Sequence, residues 1–121
     1  MAHILLVDDD PAIRKVFTKI LKKEGHGVVC AANGQEGLEL CGNNSFDLII
    51  TDMLMPVKDG LKMIMELDKV FPETRIIAVS GGGVIEAERY LRLASTIGVK
   101  KSLTKPVSKD DLLTAVNEIL S

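Results

Sequence analysis

The strongest constraint on this chain is an alternation. Four short runs, residues 4–7, 28–31, 48–51 and 76–79, are apolar almost throughout, and stretches of helical character separate them. Runs that short and that apolar, bounded by Asp, Gly and Ser, are the pattern of strands buried on both faces rather than on one. Between the first two, Ile13, Val16, Phe17, Ile20 and Leu21 recur at helical spacing. Asp10 followed by Pro11 supplies an N-cap carboxylate and a proline at the first helical position, and Gly25 supplies a stop. A second helix is expected over 33–40, although its apolar periodicity is weak. A third starts at Asp59-Gly60, runs to about Val70 and is closed by Pro72. A fourth is expected over 84–96, after the glycine run 81–83. A brief fifth strand follows at 101–104, and Ser108 with Asp111 fits a capping box for a last helix carrying Leu112, Leu113, Val116, Ile119 and Leu120. Five strands and five helices in strict alternation imply a doubly wound α/β fold, a parallel sheet covered on both faces.

Composition agrees with one such domain over residues 1–121. The chain has 121 residues, 46% of them apolar, enough for one ordinary core. The sequence carries no linker, repeat or low-complexity segment, and no output domain is expected. A net charge of −2 argues against nucleic acid binding through a general basic field. No apolar run approaches the roughly 20 residues needed to cross a bilayer, so membrane insertion is not expected. The first apolar run is too short for a secretory signal. Cys30 and Cys41 match neither a disulfide framework nor a metal-ligand spacing and read as free thiols, which suits a cytoplasmic protein.

The chemistry is expected at the carboxyl ends of the strands, where open parallel sheets bind ligands at a switch in strand order. The first strand runs straight into Asp8, Asp9 and Asp10; the third ends at Asp52, the fourth at Ser80 and the fifth at Lys105, followed by Pro106. Two carboxylates ~4 Å apart at an effective dielectric of about 20 repel by about 4 kcal/mol, so the acidic run needs solvent or a cation. Asp8, Asp9 and Asp52 are hard oxygen ligands of the kind Mg²⁺ takes, and Mg²⁺ in turn suggests a phosphate-bearing substrate. A carboxylate in such a site can act as nucleophile, Ser80 can donate to a phosphoryl oxygen, and Lys105 can neutralise another. Asp10 is assigned to helix capping. Each of these residues alone is an ordinary turn, cap or surface residue; the combination is what is specific.

The stretches LLVDDDP, AANGQEGLEL, FDLIITDMLMPVKDGL, RIIAVSGG and LTKP together resemble the receiver domain of bacterial two-component response regulators, along the whole chain. The resemblance implies a flavodoxin-like sheet of strand order 2-1-3-4-5. It implies that Asp52 accepts a phosphoryl group from a phosphohistidine on a sensor histidine kinase or phosphotransfer protein. It also implies that Asp8, Asp9, Asp52 and the backbone carbonyl of Leu54 hold Mg²⁺, that Lys105 contacts the phosphoryl group and that Ser80 is the switch hydroxyl. The Lys105-Pro106 bond is expected to be cis. The signal would pass to a downstream protein through the predicted helix over 84–96, the fifth strand and the last helix, and the kinase would be read by the first helix around Arg14, Lys15, Thr18 and Lys22.

Departures from the family pattern bear on output. Ser102 stands where an aromatic ring is usual, and Val107 replaces the usual aromatic after Lys-Pro. Tyr90 is a candidate to supply part of the partner surface. Leu54 and Gly82 stand where polar side chains often orient an attacking water, so self-dephosphorylation is expected to be slow. Three other readings compete: a haloacid-dehalogenase-like phosphatase with its nucleophile in Asp8-Asp9-Asp10, a flavin-binding flavodoxin, and an interaction module that does not use phosphorylation.

Overall fold

Every residue of β1 (His3–Val7) after His3 is buried, and so is every residue of β3 (Leu48–Asp52) and β4 (Ile76–Ser80). Strands that lack a polar face need cover on both sides, and this requirement shapes the molecule. The computed structural model describes residues 1–53, 60–70, 74–81 and 99–121. With β2 (Gly27–Ala31) and β5 (Lys101–Thr104), these strands form a five-stranded sheet of order β2-β1-β3-β4-β5. All four pairings are parallel. The expected flavodoxin-like order is therefore observed. The predicted helix over 84–96 lies outside the described residues, as do Leu54, Met55-Pro56, Asp59, Pro72, Gly82 and Tyr90.

Side chains alternate across the sheet and divide the core in two. Leu5, Val7, Ile49 and Ala78 face one layer, where Met63, Ile64 and Leu67 of α3 (Gly60–Val70) and Cys41 of α2 (Gly34–Asn43) meet them. Ile4, Leu6, Leu48, Ile50, Ile77 and Val79 face the other, against Phe17 and Leu21 of α1 (Pro11–Lys23) and Leu112, Ala115 and Val116 of α4 (Lys109–Leu120). Among the described residues, no helix is long and apolar enough to cross a membrane.

The expected caps form. Asp10 has extended backbone and its Oδ1 accepts from Ala12 N at 2.9 Å. Ser108 Oγ accepts from Asp111 N at 3.0 Å. After α1, Gly25 adopts φ +90°, a conformation that costs glycine little and most other residues more. The second helix differs from expectation: Asn33 is its N-cap, not its first turn, and the helix runs on to Asn43. Its buried residues are Gly34, Gly37 and Cys41, so small side chains carry the contact with the sheet. A Cβ on Gly37 would lie 2.9 Å from Met63 Sδ and 3.2 Å from Val7 Cγ2. That close approach is why the apolar periodicity of this stretch is weak.

Candidate functional site

The strand order reverses between β1 and β3: the chain leaves β1 toward one edge of the sheet and returns to build the other. The crevice outside the carboxyl ends of those two strands is where ligands bind in sheets of this kind. Asp8 follows the last residue of β1, and Asp52 is the last residue of β3. The ladder extends one residue past β1, through Asp8 N to Ala31 O at 3.1 Å, and one residue past β5, through Lys105 N to Ser80 O at 2.8 Å. Those two bonds hold Asp8 and Lys105 at the rim. The Lys105-Pro106 peptide is cis, as the resemblance implies.

One carboxylate oxygen from each of Asp8, Asp9 and Asp52 lies within 4.8 Å of the others. Asp8 and Asp52 are buried, at 2% and 5% exposure, whereas Asp9 is exposed. Lys105 Nζ sits between the two buried acids, 2.9 Å from Asp52 Oδ2 and 3.1 Å from Asp8 Oδ2. Burial pushes the Asp8 carboxyl above its ordinary range, against the pull of the Asp10 amide and of Lys105. Burial works to lower Lys105, but its hydrogen bonds to Asp52 and Asp8 and their negative charges prevail, and its ammonium titrates above the usual lysine range. The site thus gathers three acidic side chains, two of them bonded to one lysine.

Such a donor set fits a hard divalent cation. All three clustered ligands are carboxylates, and one or two carboxylates with water satisfy Mg²⁺. A second observation points the same way. Ser80 Oγ is buried at the end of β4 and has no hydrogen-bond partner among the described residues. A buried hydroxyl without a partner is costly and uncommon, and here it stands at the rim that carries the acids. An oxygen-rich ligand would satisfy it.

The structure thus brings Asp8, Asp9, Asp52 and Lys105 together and sets Ser80 on the adjoining strand; Leu54 lies outside the described residues. Two contacts were not anticipated from the sequence. Thr51, fully buried on β3, donates through Oγ1 to the Asp52 carbonyl at 2.9 Å. Arg14, assigned from sequence to a partner surface, donates through Nη1 to the Asp8 carbonyl at 2.7 Å. Its spacing of one helical turn from the Asp10 cap is the one sequence signal that links it to the acidic loop.

An open α/β sheet with an acidic, lysine-bridged crevice at its switch point offers hard oxygen ligands that suit a divalent cation. Residues 4–117 match the family model of the response regulator receiver domain. The chain is 40% identical over 119 residues to the transcriptional regulatory protein GlrR of Escherichia coli, covering 98% of this chain and 26% of that protein. It therefore spans about a quarter of that relative. It is 35% identical over 123 residues to the chemotaxis protein CheY of Bacillus subtilis, with 100% of both chains covered. The crystal structure of the response regulator TrrA from Thermotoga maritima, in complex with Mg²⁺-BeF, matches with a TM-score of 0.86 and 29% identity, covering 98% of this chain and 99% of that one. This chain belongs to the response regulator receiver family.

Proposed function

We propose that this domain receives a phosphoryl group on Asp52 from the phosphohistidine of a sensor histidine kinase or phosphotransfer protein, and that the modified domain controls a downstream protein. The observation that carries this reading is Lys105 Nζ, held 2.9 Å from buried Asp52 and 3.1 Å from buried Asp8. A lysine so placed neutralises a phosphoryl oxygen as charge builds on it. In the transfer, an Asp52 carboxylate oxygen bonds to phosphorus as the phosphorus–nitrogen bond of the donor imidazole breaks, and the imidazole leaves with the electron pair. The product is an acyl phosphate. Little covalent work falls to the protein; alignment and charge neutralisation are its share.

Asp8, Asp9 and Asp52 are the side chains that would hold Mg²⁺, with the Leu54 carbonyl completing the set. Bound there, the ion supplies positive charge to the transferring phosphoryl oxygens. The Mg²⁺-BeF complex of the TrrA relative supports this reading. Ser80 then donates its hydrogen bond to a phosphoryl oxygen, and the inward hydroxyl shifts the population of two conformations. The output surface is β5 with α4 and the predicted helix over 84–96. Lys101 on β5 and Glu118 on α4 are paired at 3.1 Å and couple two of these elements. Ser102 is only half-buried and has no ring to move, so the response is carried by backbone and by the neighbouring elements. We place the protein in the cytoplasm and assign it no turnover beyond Mg²⁺-dependent self-phosphorylation and slow self-dephosphorylation.

Intact mass after incubation with Mg²⁺ and a small-molecule phosphodonor tests the proposal. One phosphoryl adduct is expected on the wild type, dependent on Mg²⁺ and absent from Asp52→Asn. No adduct on folded wild type would overturn the phosphoacceptor reading. An adduct that persists in Asp52→Asn and disappears in Asp8→Asn would move the nucleophile to the first strand.

A further inference from the structure

We infer that Arg14 is a positioning residue for the cation site, acting through the backbone on Asp9; this rests on the metal reading proposed above. Three acids form the cluster, but they are held unequally. Asp8 is tied through its amide to Ala31 O at 3.1 Å, through Oδ1 to the Asp10 amide at 2.9 Å, and through Oδ2 to Lys105 Nζ at 3.1 Å. Asp52 ends a buried strand and bonds Lys105. Asp9 is exposed, and among the described residues its carboxylate makes no hydrogen bond or ion pair.

Its place is therefore set by the two peptides that flank it. The peptide after Asp9 is held where Asp10 N donates to Asp8 Oδ1 at 2.9 Å. The peptide before it is held where Arg14 Nη1 donates to the Asp8 carbonyl at 2.7 Å, a short bond from a full positive charge. Arg14 is itself fixed one turn into α1: its amide donates to the Asp10 carbonyl at 3.1 Å, and the Asp10 side chain caps the same helix. Arg14 is half-buried, while its neighbour Lys15 is exposed. The guanidinium thus reaches back over the acidic loop and fastens it to the first turn of α1. An outer partner of this kind spares a ligand the entropy of ordering when the ion arrives, and loss of such partners commonly weakens metal affinity by about 10–100-fold.

The test is Mg²⁺ titration by calorimetry on wild type, Arg14→Met, Arg14→Lys, Asp9→Asn and Lys19→Met, the last an exposed residue of the same helix. Arg14→Met is expected to weaken Mg²⁺ binding about 10-fold, Arg14→Lys less, and Lys19→Met not at all. In phosphorylation of Asp52 by a small-molecule donor, half-saturating Mg²⁺ rises with the dissociation constant while the rate at saturating Mg²⁺ is unchanged. If Arg14→Met does not fold, Arg14→Lys alone must still bind Mg²⁺ more weakly than wild type. Equal binding by wild type and a folded Arg14 variant overturns this inference and leaves the metal site standing. No binding by wild type overturns both. Weaker phosphotransfer from a kinase with unchanged Mg²⁺ affinity returns Arg14 to a partner surface and overturns the inference as well.

Discussion

Lys105 Nζ and Asp52 Oδ2 stand 2.9 Å apart, although the two residues are 53 positions apart in the chain. The same nitrogen reaches Asp8 from a third strand end. One ammonium thus ties together the termini of β1, β3 and β5.

Lys105→Met removes the ammonium that buried Asp8 and Asp52 share. Removing one partner of a buried ion pair typically costs about 3–5 kcal/mol, and Lys105 retains some contact with water, so a loss near 3 kcal/mol is expected at neutral pH. Protonating Asp8, whose carboxyl burial raises, removes its repulsion of Asp52, so the deficit shrinks as pH falls. Urea denaturation of both proteins at neutral and acid pH, without Mg²⁺, checks this; an equal deficit at both would refute it.

Asp8 is expected to oppose folding when no cation is present. Its carboxyl is raised above the ordinary value by burial, so the folded state binds its proton more tightly than the unfolded chain. The sign follows: the contribution of Asp8 to stability is greatest below the ordinary carboxylate range and is lost as pH rises through its raised value. Mg²⁺ reverses the effect. At about 100 times its dissociation constant, Mg²⁺ should stabilise the wild type by about 2.7 kcal/mol. Asp8→Asn should equal or exceed wild type in stability without metal at neutral pH and gain little from Mg²⁺. Thermal melts with and without Mg²⁺ measure both quantities.

The aspartyl phosphate is expected to persist well beyond seconds under native conditions. Leu54 and Gly82 offer no polar side chain to orient an attacking water. Mass spectrometry of the adduct through a chase without donor gives the lifetime, and substituting a polar residue at Leu54 should shorten it. Decay within seconds in the wild type would contradict the expectation.

Gly37→Ala tests the small-residue contact of α2. The new Cβ would meet Met63 Sδ at 2.9 Å and the stiff Val7 side chain at 3.2 Å. Overpacking costs about 1–3 kcal/mol, offset by about 0.5–1 kcal/mol of improved helix propensity. A net loss of about 1 kcal/mol in chemical denaturation is expected, with Mg²⁺ binding unchanged.

Much of this molecule was settled locally, and so was readable in order along the chain. Runs of Ile, Leu and Val too apolar for a half-exposed strand called for a sheet covered on both faces, and β1, β3 and β4 are buried throughout but for His3. Asp10 and Ser108 cap their helices because an N-cap needs only a side-chain oxygen two or three residues before an amide. The acids, Ser80 and Lys105 were legible as candidates because each lies at or just past a strand end, and parallel strands all end at one edge. Tertiary structure decided what distance in the chain conceals. It set Lys105 between Asp8 and Asp52, buried Ser80 Oγ with no hydrogen-bond partner among the described residues, and let α2 approach the sheet on glycine. It also set Arg14 Nη1 on the Asp8 carbonyl, a contact that no local pattern announced. The reason is physical: periodicity and capping act over a few residues, whereas the electrostatics of a buried site depend on which strand ends the sheet places side by side.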